Sequence, residues 1–311
     1  MALELNGLRV YALGLAHRAV SDISRDHVRQ LRNYVDMCAF LANSDAQKSF
    51  FDKAQTSLEK ADSLYYPLIQ RTLATVSEDT ICTVGVNLAI DDLTGGGAQL
   101  KKAAQESGHP VAWLTVADAG DPTLPLHVCE GEARGQYLWV LRRHTPGDTH
   151  AALALAAAHG KSDFALVVPP EIVTAEVAEC LAATPNLVLI LQMDRPEITD
   201  AVHAAAVLLQ SRKLFYGLTA SLEDSTAALA VDPEWLDVLS QHTLFCVYTH
   251  PAMSEPTADS FCKAIYRSRT TTGSPVLLFD WEKDTISIGG FISPLAYVEY
   301  WNLPGLCPKE P

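Results

Sequence analysis

The residues of this chain best able to do chemistry stand at the ends of short apolar runs. They are Asp118 after VAWLTVA, Arg142, Arg143 and His144 after QYLWVL, and Asp194 after LVLILQM, followed by Thr219 and Ser221, Tyr248 and His250, and Asp280 with Trp281. If the runs are parallel strands, these positions form one rim, the end at which α/β barrels place their ligand and catalytic groups. Arg142 and Arg143 could clamp a small anion, since guanidinium grips carboxylate or phosphate with two parallel bonds, and His144 or His250 could move a proton. The same charges could instead pair with Asp118, Asp194 or Asp280 and simply fill the mouth. Strand alternation sends either Arg142 with His144, or Arg143 alone, inward. The inward arginine is expected to face one of those carboxylates, because a buried unpaired guanidinium is costly.

Other chemistries find little support. No HxH, HxxxH or HExxH motif gathers His144, His150 and His250 into a metal site, so no metal is expected. His17, His27 and His203 sit in helical patterns. Ser221 in TASLED is not a nucleophile elbow. Gly95-Gly96-Gly97 lacks the Lys-Ser/Thr of a phosphate loop and reads as a hinge or turn. The seven cysteines, Cys38, Cys82, Cys129, Cys180, Cys246, Cys262 and Cys307, are dispersed; the closest two, Cys246 and Cys262, are 16 residues apart. That spacing suits buried reduced thiols.

The elements that must position the rim follow from periodicity. HVRQLRNYVDMCAFLA, QKSFFDKAQTSLEKA and LYYPLIQRTLA repeat apolar residues at three and four, so residues 1–105 read as a helical N-terminal region. The pattern breaks at the glycines, resumes as a short polar helix and stops at Gly108 before Pro110. From residue 106 to 311, apolar runs alternate with helices whose starts are marked by Asp148, Thr174, Thr199 and Asp232-Pro233. Seven runs give an α/β fold with a parallel sheet, closed or partly open as a barrel.

With 48% hydrophobic and 19% charged residues the whole chain should fold, and a formal charge of −14 disfavours nucleic acid. No apolar run reaches 18 residues, and the N-terminus lacks the basic flank of a signal peptide. A cytoplasmic protein without membrane contact is expected.

In that order, GVNLAIDDLTGGGAQLKKAAQESGHPVAWLTVAD, FALVVPPEIVTAEVAECLAATPNLVLILQMD and PVLLFDWEKDTISIGGFISPLAYVEYW resemble the radical S-adenosylmethionine (SAM) superfamily, specifically the group with a helical N-terminal extension and a C-terminal auxiliary-cluster segment. The resemblance implies a (β/α) barrel. It also exposes departures. The loop that carries CxxxCxxC in that family reads ADAGDPTLPLHVCEG, with Cys129 alone, and leaves the first barrel helix shortened or missing. Leu141 through Pro146 replace the family's GGEP. Gly289-Gly290 is followed by Phe291, and Cys307 stands alone near the end. One thiolate cannot hold a four-iron cluster, so neither cluster nor SAM is expected, and no other cofactor is implied. Two functions follow as expectations. The first is a pseudoenzyme that binds or scaffolds an active radical SAM relative or a pathway enzyme. The second is a cluster-independent enzyme or sensor for a small anionic ligand, with Asp118, Arg142, Arg143, His144, Asp194, Tyr248, His250 and Asp280 as candidate contacts.

Overall fold

The computed structural model describes residues 2–41, 45–60, 63, 65–143, 145, 147–270 and 274–303. Helices come first, as the three-and-four spacing requires: α1 (Ala2–Arg25), α2 (His27–Leu41), α3 (Asp45–Glu59), α4 (Tyr65–Thr75) and α5 (Glu78–Val86). A π-helical stretch, Asn87–Gly96, then runs without a break into α6 (Gly97–Ser107). The three glycines are therefore helical and not a hinge. Their smallness is needed at Gly96, where an added Cβ would lie 2.2 Å from the Gly135 carbonyl oxygen. Helix α6 does stop at Gly108, with φ of +67°, a conformation glycine adopts freely.

The βα alternation follows as β1 (Val111–Asp118), α7 (Leu124–Arg134), β2 (Leu138–Arg142), α8 (Asp148–Ala158), β3 (Asp163–Val168), α9 (Ala175–Ala182), β4 (Leu187–Met193) and α10 (Asp200–Ser211). It continues as β5 (Tyr216–Ser221), α11 (Pro233–His242), β6 (Phe245–Thr249), α12 (Glu255–Thr270), β7 (Leu277–Asp280), α13 (Trp281–Ile292) and β8 (Ala296–Trp301). All pairings are parallel, in the order β7-β6-β5-β4-β3-β2-β1-β8, which makes a partial parallel α/β barrel with edges at β7 and β8. The sheet has one strand more than the seven apolar runs. AYVEYW mixes apolar and polar residues and is only half buried at the edge, so it lacks the continuous apolar signature of the others.

Two further expectations fail. Helix α7 is neither shortened nor missing: it has Pro125 in its first turn and ends at Gly135 with φ of +97°. Cys129 lies on this helix and is exposed, not in a loop. Asp148 does not cap α8; it lies in the first turn and accepts the Thr145 backbone N–H at 2.6 Å. The other three starts hold, with Thr174, Thr199 and Asp232 accepting from Val177, Val202 and both Glu234 and Trp235. Among the described cysteines only Cys82 and Cys246 are buried; Cys38, Cys180 and Cys262 are half-buried. No described helix is long and apolar enough to cross a membrane.

Alternation along the strands divides the apolar residues between two faces. Trp139 and Leu141, Phe164 and Leu166, Leu189 and Leu191, and Leu218 and Tyr248 pack in the main core. Residues of the other parity face the concave side. At the β8 edge, His127 of α7 donates to or accepts from Glu299 at 2.8 Å and stacks on Trp301 at 3.9 Å; Thr115 donates to the same Glu299 oxygen, and Gln136 donates to Thr115. This buried polar chain holds the mixed-polarity β8 against β1.

Candidate functional site

The concave face encloses a trough of about 500 Å³. Its walls are apolar: Leu114 and Val116 from β1, Leu138 and Val140 from β2, Ala165 and Val167 from β3, Val188 and Ile190 from β4, and Phe245 and Val247 from β6. Val84 of α5 and Leu88 of the π-helical stretch reach its opposite end, near the starts of the strands. Across the open seam between β7 and β8, the Trp281 indole donates to the Tyr300 hydroxyl at 3.2 Å, and both residues line the trough. The seam is bridged by side chains where no strand ladder exists.

Polar groups collect at the C-terminal end of the wall. Arg142, Gln192, Asp194, Thr219, Ser221 and Thr249 all line it. Of the two arginines, Arg142 is the inward one. No described carboxylate lies within 4.0 Å of its guanidinium, so the expected ion pair with Asp118, Asp194 or Asp280 is not formed. Asp118 neighbours Arg142 in register but accepts the Gly120 backbone N–H at 2.9 Å. Arg143 is half-buried, outside the trough wall, with its Nε lacking a hydrogen-bond partner. His144 lies outside the described residues.

The remaining candidates do not join this wall. Tyr248 is fully buried on the helix side of the sheet, where its hydroxyl accepts from the Trp235 indole at 3.0 Å. It is a packing residue. His250 and Asp280 are also buried and pair at 3.0 Å, with Phe261 of α12 edge-on to the imidazole at 5.7 Å. Gln192, Thr249 and Tyr300 were missed because nothing local separates them from ordinary strand residues; knowing the inward parity of β4, β6 and β8 would have found them.

A second polar cluster lies at the starts of the strands. Arg9 of α1 pairs with Asp91 and donates to Asn87 at 2.5 Å, and Asn87 donates to Asp163 at 2.8 Å. Asp163 borders the trough, while Asp92 is buried with neither carboxylate oxygen hydrogen-bonded. Burial pushes Asp163 up to about 8, against the pull of Asn87 and Arg9. Burial, with Asp163 as neighbour, raises Asp92 well above the usual carboxylate range.

No family model matches the sequence, and no curated protein matches it. Among solved structures the chain is similar to SuiB of Streptococcus suis, determined bound to S-adenosylmethionine. The TM-score is 0.41 and the identity 8%, over 64% of this chain and 49% of that one. This chain thus spans about half the length of SuiB.

Proposed function

We propose that this chain is a cluster-independent binding or enzymatic barrel for a small molecule with an apolar body and one anionic group, with residues 1–105 serving as the helical region beneath the trough. The observation that carries the reading is Arg142: a guanidinium on the wall of an apolar trough, without a carboxylate partner among the described residues. A cavity of about 500 Å³ is in the range that holds a small organic ligand. Apolar walls supply affinity, and a few polar groups at one end set orientation. Arg142 would bind the anionic group, with Thr219, Ser221 and Thr249 offering hydroxyls around it.

The test is native mass spectrometry of the purified chain for a retained ligand, followed by calorimetric titration with decanoate and, as neutral control, decanol. Arg142→Ala should weaken decanoate by about 10- to 100-fold, the worth of a hydrogen bond to a charged group, and leave decanol unchanged. Equal binding of both compounds by wild type and variant would sink the reading.

The scaffolding reading draws on a different observation. Ile286 is 74% exposed on α13 and Tyr297 43% exposed on neighbouring β8, and both border one groove. Exposed apolar residues in proximity favour a protein partner. Under both readings, anaerobic reconstitution with iron and sulfide should yield no stoichiometric four-iron cluster, because the three-thiolate loop is absent from the sequence. Iron analysis finding about four irons per chain would overturn that expectation.

A further inference from the structure

On the helix side of the sheet, beside the trough wall, three ligand-type side chains converge from the ends of two strands and the start of a helix. His250 follows β6, Asp280 ends β7, and Glu282 lies in the first turn of α13. The His250 Nε2 is 3.0 Å from Asp280 Oδ1 and 3.4 Å from Glu282 Oε2, and one ligand atom of each residue lies within 4.8 Å of the other two. Separations of about 2.9–3.4 Å are those of adjacent ligands around a cation held at about 2.1 Å.

The hydrogen bonds present do not satisfy the group. Asp280 Oδ1 accepts from the Lys283 backbone N–H, capping α13, and Glu282 Oε1 accepts from the His250 backbone N–H at 3.0 Å. These bonds fix both carboxylates in place through one oxygen each. The other two oxygens, Asp280 Oδ2 and Glu282 Oε2, are buried without a hydrogen-bond partner. Asp280 has no solvent exposure at all. The nearby Arg269 is engaged with Asp284 at 3.0 Å. Buried anionic oxygens with no donor are costly, and a cation removes that cost.

We propose that His250, Asp280 and Glu282 bind one divalent first-row transition cation. One imidazole and two carboxylates make a nitrogen and oxygen set suited to Zn²⁺ or Mn²⁺ rather than to a thiolate-seeking metal. Glu282 also borders a groove of about 310 Å³ between α13 and β8, which provides an approach from solvent. The cation would join the end of β6 to the β7–α13 junction at the free edge of the sheet. Its position also bears on the trough, because Thr249 and Trp281, the chain neighbours of His250 and Asp280, form part of that wall. No sequence motif announces the set, since His250 stands 30 residues before Asp280 and is brought to it by the pairing of β6 with β7.

The test is titration of the full chain, stripped with chelator, with Zn²⁺ and separately with Mn²⁺, read by calorimetry and by metal content after dialysis. A second grouping, His17, Glu78 and Cys82, could also take a metal, so Cys82→Ser is measured alongside. One equivalent should bind and raise the melting temperature. His250→Ala and Glu282→Gln should each weaken binding by at least about tenfold, while Cys82→Ser leaves it unchanged. Glu282→Gln keeps an oxygen that can accept the His250 N–H, so it tests the ligand without removing the structural bond. Co²⁺ bound to the wild type should show no thiolate charge-transfer band. The proposal is overturned if neither metal binds, if binding survives both His250→Ala and Glu282→Gln, or if Cys82→Ser abolishes it.

Discussion

Between pH 5 and pH 8 the chain should lose stability, and Asp163→Asn should make that loss smaller. Asp163 is buried among Asn87, Arg9 and Asp92, and its carboxyl is pushed up to about 8. In the unfolded chain the same group releases its proton near 4. Through the window from about 4 to about 8 the folded state therefore binds more protons than the unfolded state, so stability falls as pH rises. The displaced titration sets a ceiling on the order of 5 kcal/mol for Asp163's share of the change across the window. Asp92, raised by burial and by Asp163, acts in the same direction. Asparagine at 163 mimics the protonated acid and keeps an oxygen for the Asn87 amide. Urea unfolding at pH 5, 6, 7 and 8 checks this. A wild-type profile that is flat or rises with pH, or a variant profile parallel to wild type, would contradict the assignment.

Trp139→Ala should cost about 3–5 kcal/mol, the usual range for deleting a buried large aromatic. Trp139 sits on β2 at 1% exposure, and its ring presses on Gly131 of α7 so closely that an added Cβ there would lie 2.6 Å from Cζ2. His127 meets it edge-on at 5.6 Å. The ring thus holds α7 on the sheet next to the β8 edge, and an alanine would leave a cavity the close-packed helix cannot collapse into. Its indole N–H is buried without a partner, so Trp139→Phe should cost less than half as much despite the lost volume. The denaturation midpoint at unchanged slope reads both variants. A loss below about 1 kcal/mol for the alanine variant would show that α7 is held by other contacts.

The sequence by itself determined the parallel α/β architecture, because strands buried on both faces must be continuously apolar and the helices between them must repeat at three and four. It also placed Arg142, Asp194 and Asp280 at the ends of strands, and its lone Cys129 limits what metal chemistry the segment after β1 can support. Local chemistry was legible where one residue acts on its own neighbours: Thr174, Thr199 and Asp232 cap helices through the backbone two or three positions on.

Tertiary structure alone decided the rest. Alternation left Arg142 and Arg143 as open alternatives until the pairing of β2 with β1 and β3 set which parity faces the trough. The π-helical register of Asn87–Gly96 hid the role of Gly96, since it is selected by contact with Gly135, a residue about forty positions away. Arg9 reaches Asn87 and Asp91 across some eighty residues, and Asn87 in turn reaches Asp163 across 76. Half-buried β8 carried no continuous apolar signature, because an edge strand packs only partly. The His250, Asp280 and Glu282 grouping exists only because strand pairing aligns the ends of β6 and β7. Periodicity reports which side of an element is buried; it carries no information on which distant element covers that side, and sites are made of such meetings.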